Sequence, residues 1–369
     1  MEGDAVRKDG YCYYVVSDIH YLSPRLYDQG SAFWGMMKTN DGKLTEYGEE
    51  IVDEFIRSAQ CERPDGVILT GDLTFNGELQ SLLDITGKFR KLNDLGIPVY
   101  MISGNHDIEH RHACSYHGEN KEPAEKISPD DFLRHTSEFG RADAVKDQTS
   151  GSYIARLQEK LYLLALDANM PDSREVIPAS TLEWAGEELA KLPEGSAVIG
   201  LTHQNVLRQN NFMKREILNR EEVKKLYGKY GIRLNLSGHA HLQHISEEDG
   251  LKDICTECLM ISPLQYGVLN ILPEGYSYTA KKLGILEKEA AERLDETVIR
   301  MITPDIEQYY VPSGKRGQME RLACELCAAV FAGKEIDTSE VLTGEAWNIW
   351  ETYAGKTFWY SFLKNILVK

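Results

Sequence analysis

Between residues 11 and 103, short β-rich runs alternate with amphipathic segments, and this rhythm restricts the chain to a layered α/β fold. Residues 11–17 read as a strand. In the segment 44–60, Ile51, Phe55 and Ile56 recur at helical spacing. Residues 66–70 read as a buried strand, 78–95 as a helix closed by Gly96, and 98–103 as a further strand.

A polar loop spans about 108–126. Beyond it, 152–157 and 160–166 read as a hairpin around Gln158 and Glu159. A helix is expected over 180–191, where Ser180 and Glu183 have capping-box spacing, and a strand over 197–202, ending at His203. A helix at 221–230, a strand at 232–237 and β-runs at 254–262 and 276–283 complete the sheet region. From residue 285 the periodicity is helical, with Pro304, Pro312 and Gly314 as punctuation. The chain thus divides into an α/β domain, 1–284, and a helical C-terminal region, 285–369. In that region Trp347, Trp350, Tyr353, Phe358, Trp359 and Tyr360 are dense enough to require packing, most simply against the main domain.

With 41 basic and 58 acidic side chains in 369 residues, the net charge is −17, which disfavours nucleic-acid polymers and anionic membranes as partners. A small anionic substrate stays open, because clustered cations can dominate a local field. No apolar stretch approaches the roughly 20 residues of a membrane span. Seven cysteines, an odd number in a chain of this size, suggest reduced thiols. Residues 1–10 are charged and lack an apolar signal core, so a cytoplasmic location is expected, the alternative being an extracytoplasmic one with a leader already removed. Oligomeric state is not legible.

Five short patterns follow expected strands, where open α/β sheets place their binding crevices: Asp18-Ile19-His20, Gly71-Asp72, Gly104-Asn105-His106-Asp107, Thr202-His203 and Gly238-His239-Ala240-His241. Singly, Asp-x-His and His-x-His are weak signals; His110-Arg111-His112 repeats the second by chance. Gly-Asn-His-Asp has a chance expectation on the order of 0.002 and carries most of the specificity. Carboxylate, imidazole and amide oxygen together suit transition metals such as Mn, Fe and Zn, and the glycines at 71, 104 and 238 would let the backbone turn sharply and approach the ions without a Cβ clash.

In this order the patterns resemble the calcineurin-like metallophosphoesterase family over roughly residues 11–280, and look most like its bacterial cyclic-nucleotide-phosphodiesterase branch. The resemblance implies a β-sandwich flanked by helices and two divalent or trivalent metal ions. It assigns Asp18, His20 and His241 to one metal, Asn105, His203 and His239 to the other, and Asp72 as the bridge. It further implies a metal-bridging hydroxide as nucleophile and His106 as general acid to the leaving oxygen of a small phosphoester. A phosphodiesterase is the expectation, a phosphomonoesterase on the same site the alternative, and a non-catalytic scaffold a distant third, since no ligand position is missing.

Asp107 is expected to orient a ligand by hydrogen bonding, and His244 to lie at the surface or behind the ligands. Asn76, close after Asp72, has no support beyond nearness and is left out of the site. His110, His112, Cys114 and His117 are read as a loop beside the site in preference to a third metal site. Cys255-x-x-Cys258 and Cys324-x-x-Cys327 imitate a zinc pattern, but a strand and a core-facing helix do not present them as ligands.

Overall fold

A computed structural model describes residues 10–211, 214–309 and 311–367. The chain begins with β1 (Tyr11–Val16), α1 (Ser31–Met37), α2 (Gly48–Glu62), β2 (Gly66–Leu69), α3 (Leu79–Asp94) and β3 (Val99–Met101). Next come β4 (Cys114–His117), β5 (Asn120–Pro123), α4 (Pro129–His135), β6 (Val145–Lys146), β7 (Tyr153–Gln158) and β8 (Leu161–Ala165). These lead to α5 (Ala179–Leu189), β9 (Ala197–Leu201), α6 (Arg220–Tyr230), β10 (Leu234–Ser237), β11 (His244–Glu248), β12 (Leu251–Cys255), β13 (Gln265–Leu272) and β14 (Gly275–Lys282). The helices α7 (Glu287–Gln308), α8 (Ser313–Phe331), α9 (Thr338–Thr343), α10 (Glu345–Ala354) and α11 (Phe358–Leu367) follow.

Two mixed sheets carry the fold, one ordered β14-β13-β1-β2-β3 and the other β11-β12-β10-β9-β8-β7-β6. Side-chain alternation along β1 explains how they stack. Tyr13 and Val15 enter a core shared with Leu163, Leu201 and Leu236 of the second sheet, whereas Tyr14 and Val16 face a core with Ile51, Phe55 and Phe89 of α2 and α3. On the second sheet's other face, Leu164 packs with Ala185 of α5 and Val223 of α6. The result is a sandwich of two sheets flanked by helices, with a helical C-terminal part.

The helices after residue 285 join the same core as α2 and α3: Met319, Trp347, Trp350, Tyr360 and Leu363 are all buried in it. Trp350 is fully buried, and its indole N–H donates to Met319 O at 3.0 Å. Among the described residues, no helix is long and apolar enough to cross a membrane.

Several local expectations need correction. α5 starts at Ala179 with Pro178 as its N-cap, so Ser180 sits inside the helix and makes no capping box; the capping box forms instead at α4, between Ser128 and Asp131. The β-run expected at 254–262 is the end of β12 and then a buried turn, in which Cys258, Leu259, Met260 and Ile261 are apolar because they are buried, not because they are extended. β11 and β13 were not foreseen, and the loop 108–126 contains the hairpin β4–β5. α7 runs through Pro304, and the break falls before Pro312, which caps α8.

Candidate metal centre

The parallel strands β1, β2 and β3 of the first sheet and β9 and β10 of the second deliver the seven expected ligands at their carboxyl ends. Asp18 and His20 follow β1, Asp72 follows β2, Asn105 and His106 follow β3, His203 follows β9, and His239 and His241 follow β10. Five of these residues hold a left-handed backbone that non-glycine residues rarely adopt: Asp18 (φ 50°), His20 (45°), Asp72 (50°), His239 (64°) and His241 (55°). Such strain persists where the surrounding structure over-determines it, and it clusters at functional sites.

The ligand atoms fall into two groups that share Asp72. Those of Asp18, His20, Asp72 and His241 lie within 4.8 Å of one another, as do those of Asp72, His203 and His239. In the first group the Nε2 atoms of His20 and His241 approach to 3.1 Å, and Asp18 Oδ1 lies 3.2 Å from His241 Nε2. In the second, His203 Nε2 is 3.4 Å from Asp72 Oδ2 and 3.0 Å from Asn105 Oδ1.

A cation fits these donors. Asp18 Oδ1 is buried without a hydrogen-bond partner, an arrangement that costs free energy unless a charge compensates it. Two imidazole nitrogens facing each other cannot both be lone-pair acceptors of one bond, but they can meet on one ion. The donor set contains only nitrogen and oxygen, and the cluster can hold metal ions.

Electrostatics follow from burial and from charge proximity. Burial holds the His20 and His239 rings well below the ordinary imidazole range, keeping them neutral as ligands must be. Burial would raise Asp72, but His203, His106 and His20 outweigh it and hold the carboxyl well below its usual range. Burial would likewise lower His203, yet Asp72 and Asp18 push it up to about 9. His203 Nδ1 lies 2.9 Å from Thr70 O, so Nδ1–H donates to that carbonyl and Nε2 faces the cluster.

The three glycines divide the two expected roles, a sharp turn and a close approach without a Cβ. Only Gly71 has a left-handed backbone (φ 101°); Gly104 and Gly238 are required by close approach, since a Cβ would collide with Asp72 Oδ1 and with Ser17 Oγ respectively. Asp107 accepts hydrogen bonds from the N–H groups of Leu73, Thr74 and Gly104 and from the Thr74 hydroxyl, so it ties the Asp72 loop to the Asn105 loop. Burial, then the neighbouring Asp72, raises its pKa to about 7.

His106 is half-buried at the rim. Its Nδ1 lies 3.1 Å from Phe75 O and 3.1 Å from Asn76 Oδ1, and its ring stacks on His110 with centroids 4.7 Å apart. Asn76, which the sequence reading left out, thus stands beside His106 and lines the same cavity; its place four residues after Asp72 was the available signal. Asp41 was missed outright. Its Oδ2 lies 3.8 Å from His241 Nδ1 and its other oxygen pairs with buried Lys43, a contact across 200 residues that no local pattern announces.

The remaining candidates do not assemble. His110 and His112 stand beside the site, Cys114 is buried on β4, and His117 pairs with Asp28. Among the described residues neither this loop nor the four paired cysteines forms a metal-ligand group; Cys258 Sγ instead donates to Asp18 O at 2.9 Å, and Cys255 Sγ to Gly238 O at 3.2 Å. His244 Nδ1 bonds to Gln209 Oε1 at 3.0 Å, away from the cluster.

The calcineurin-like phosphoesterase family model matches residues 13–243, more than half of the chain and every ligand position. The chain belongs to the calcineurin-like phosphoesterase family. A subunit of the nuclease SbcCD from Staphylococcus saprophyticus is 35% identical over 86 residues, which is 22% of this chain and 23% of that protein. The match thus spans less than a quarter of that relative's length. A dimetal phosphatase from Danio rerio shares the fold at 12% identity and a TM-score of 0.56, covering 74% of this chain and 96% of its own. As a calcineurin-like phosphoesterase the protein is a metal-dependent hydrolase of phosphoric esters.

Proposed function

We propose that this phosphoesterase hydrolyses phosphodiesters of small or nucleotide-like alcohols. The observation that carries the reading is the cavity onto which the ligand cluster opens, about 610 Å³, which suits an organic ester better than a bare phosphate.

In this reading Asp18, His20 and His241 would hold one cation, Asn105, His203 and His239 would hold a second, and Asp72 would be shared between them. Manganese, iron and zinc suit this nitrogen and oxygen set. When bound, two such cations neutralise phosphoryl charge and make water nucleophilic near neutral pH. His106 supplies the other half of the chemistry. With Nδ1–H directed at Phe75 O and Asn76 Oδ1, Nε2 is the nitrogen left to face the leaving oxygen, and it delivers a proton there when the ring is an imidazolium. Asn76 and the His110 stack keep the ring in that orientation. Asn105 Nδ2 donates to a phosphoryl oxygen of the bound ester.

The division of labour follows the chain: residues up to 284 carry the ligands and His106, and the helices after 285 wall the cavity. The relative named as a nuclease subunit matches only over a short stretch, and the net charge of −17 opposes a nucleic-acid polymer here. Bis(p-nitrophenyl) phosphate and p-nitrophenyl phosphate, each assayed with Mn(II), test the proposal. A higher kcat/KM for the diester is expected; preference for the monoester makes the protein a monoesterase, and hydrolysis of neither contradicts the phosphodiesterase proposal.

A further inference from the structure

We infer that the ester held in this site carries an apolar arm, alkyl or simple aryl, seated against α7 and α11. The inference rests on the phosphodiesterase reading and specifies its substrate class.

The cavity that contains His20, Asp72, Asn105 and His106 is continuous with side chains of the C-terminal helices. From α7 come Val298 and Met301, from α8 Phe331, and from α11 Phe358 and Phe362. Among the described residues, Thr297 is the one hydroxyl these helices add to the lining. A nucleobase needs donors and acceptors for its edges, and this wall offers few; an aliphatic or phenyl arm needs none.

Helix docking does not account for the two side chains at the edge of this wall. α11 packs through Trp359, Tyr360, Leu363 and Leu367, all buried, while Phe358 is 71% exposed. α7 packs through Leu294, Val298, Ile302 and Ile306, while Met301 is 45% exposed. Phe358 lies nearly parallel to Phe362, with centroids 6.2 Å apart and planes at 27°, so the two rings extend one apolar surface from the helix interface to the cavity. A contiguous apolar surface that opens onto a cavity lined by His20, Asp72 and His241 is the kind of patch that marks a ligand surface.

The test uses the full chain loaded with Mn(II) and a series of p-nitrophenyl alkyl phosphodiesters with methyl, butyl and hexyl arms. The leaving group is constant, so only the retained arm varies. Each added methylene is expected to raise kcat/KM roughly two- to fourfold, the upper value corresponding to full burial. Phe358→Ser and Met301→Ser should each lower the hexyl-to-methyl ratio, and Phe358→Leu should restore it. A ratio near one in the parent chain, or one that neither serine variant moves, overturns the inference.

If no ester is hydrolysed, the phosphodiesterase reading has failed by itself. Calorimetric binding of methyl- and hexylphosphonate then still decides the inference: tighter hexyl binding that Phe358→Ser weakens supports it, and equal binding overturns it.

Discussion

The main-chain N–H of His106 donates to Asp72 Oδ1 at 2.7 Å, which ties the residue assigned to the leaving group to the carboxylate that both ligand groups share. Because that bond comes from the backbone, the His106 side chain can be removed without cutting it.

His106→Ala should therefore retain the metals bound by the parent protein while kcat falls by roughly 10²- to 10⁴-fold on an ester with an alkoxide leaving group. On a nitrophenyl ester, whose leaving oxygen hardly needs a proton, the loss should be smaller. Metal analysis with steady-state kinetics on both ester types checks this; loss of metal would mean that His106 is a ligand.

Asn76→Ala leaves Nδ1 of His106 with Phe75 O alone. A roughly tenfold fall in kcat with little change in KM is expected, by analogy with the loss of a partner that orients a ligand imidazole. An unchanged kcat would exclude Asn76 from the site.

Glu78 gives a pH dependence away from the ligands. Burial raises its carboxyl to about 7, and its Oε1 has no partner. The folded state thus binds this proton more tightly than the unfolded chain, so the contribution to stability is complete below about pH 4.5 and is lost as pH rises through 7. The change amounts to on the order of 3 kcal/mol. Denaturant midpoints at pH 5 and 7.5 should differ more for the parent than for Glu78→Gln, because other groups titrate equally in both; equal differences would contradict the assignment.

Trp350→Ala removes a fully buried indole from the core that joins α8 and α10 to α2 and α3. Unfolding free energy should drop by about 3–5 kcal/mol. By the same packing, a chain ending at Leu283 loses Met319, Trp347, Trp350, Tyr360 and Leu363 from that core and should be insoluble; a soluble, active truncation would show that the helical region is dispensable.

The parts of the site legible in the sequence were those written in short, ordered patterns. Gly104-Asn105-His106-Asp107 and the strand-end positions of Asp18, Asp72, His203 and His239 need only local context, because a parallel strand delivers its next residue to one edge of the sheet. The β-rich run at residues 11–17 likewise announced a strand. What escaped depends on distance or on a single hydrogen bond. Asp41 reaches His241 from a segment 200 residues earlier. The β-run at 254–262 was apolar through burial in a turn, and periodicity cannot separate that from a strand. Ser180 had the spacing of a capping box, but Pro178 set the helix start ahead of it.

The central claim, a phosphoesterase centre built on Asp72, is tested most directly by titrating chelator-treated protein with Mn(II) while measuring bound metal and diester hydrolysis. Two ions per chain at the activity plateau are expected, with Asp72→Asn lowering both the metal content and, by on the order of 10²-fold or more, the turnover. Full hydrolysis by the metal-free protein, or an Asp72→Asn variant that keeps two ions and parental turnover, would contradict the account.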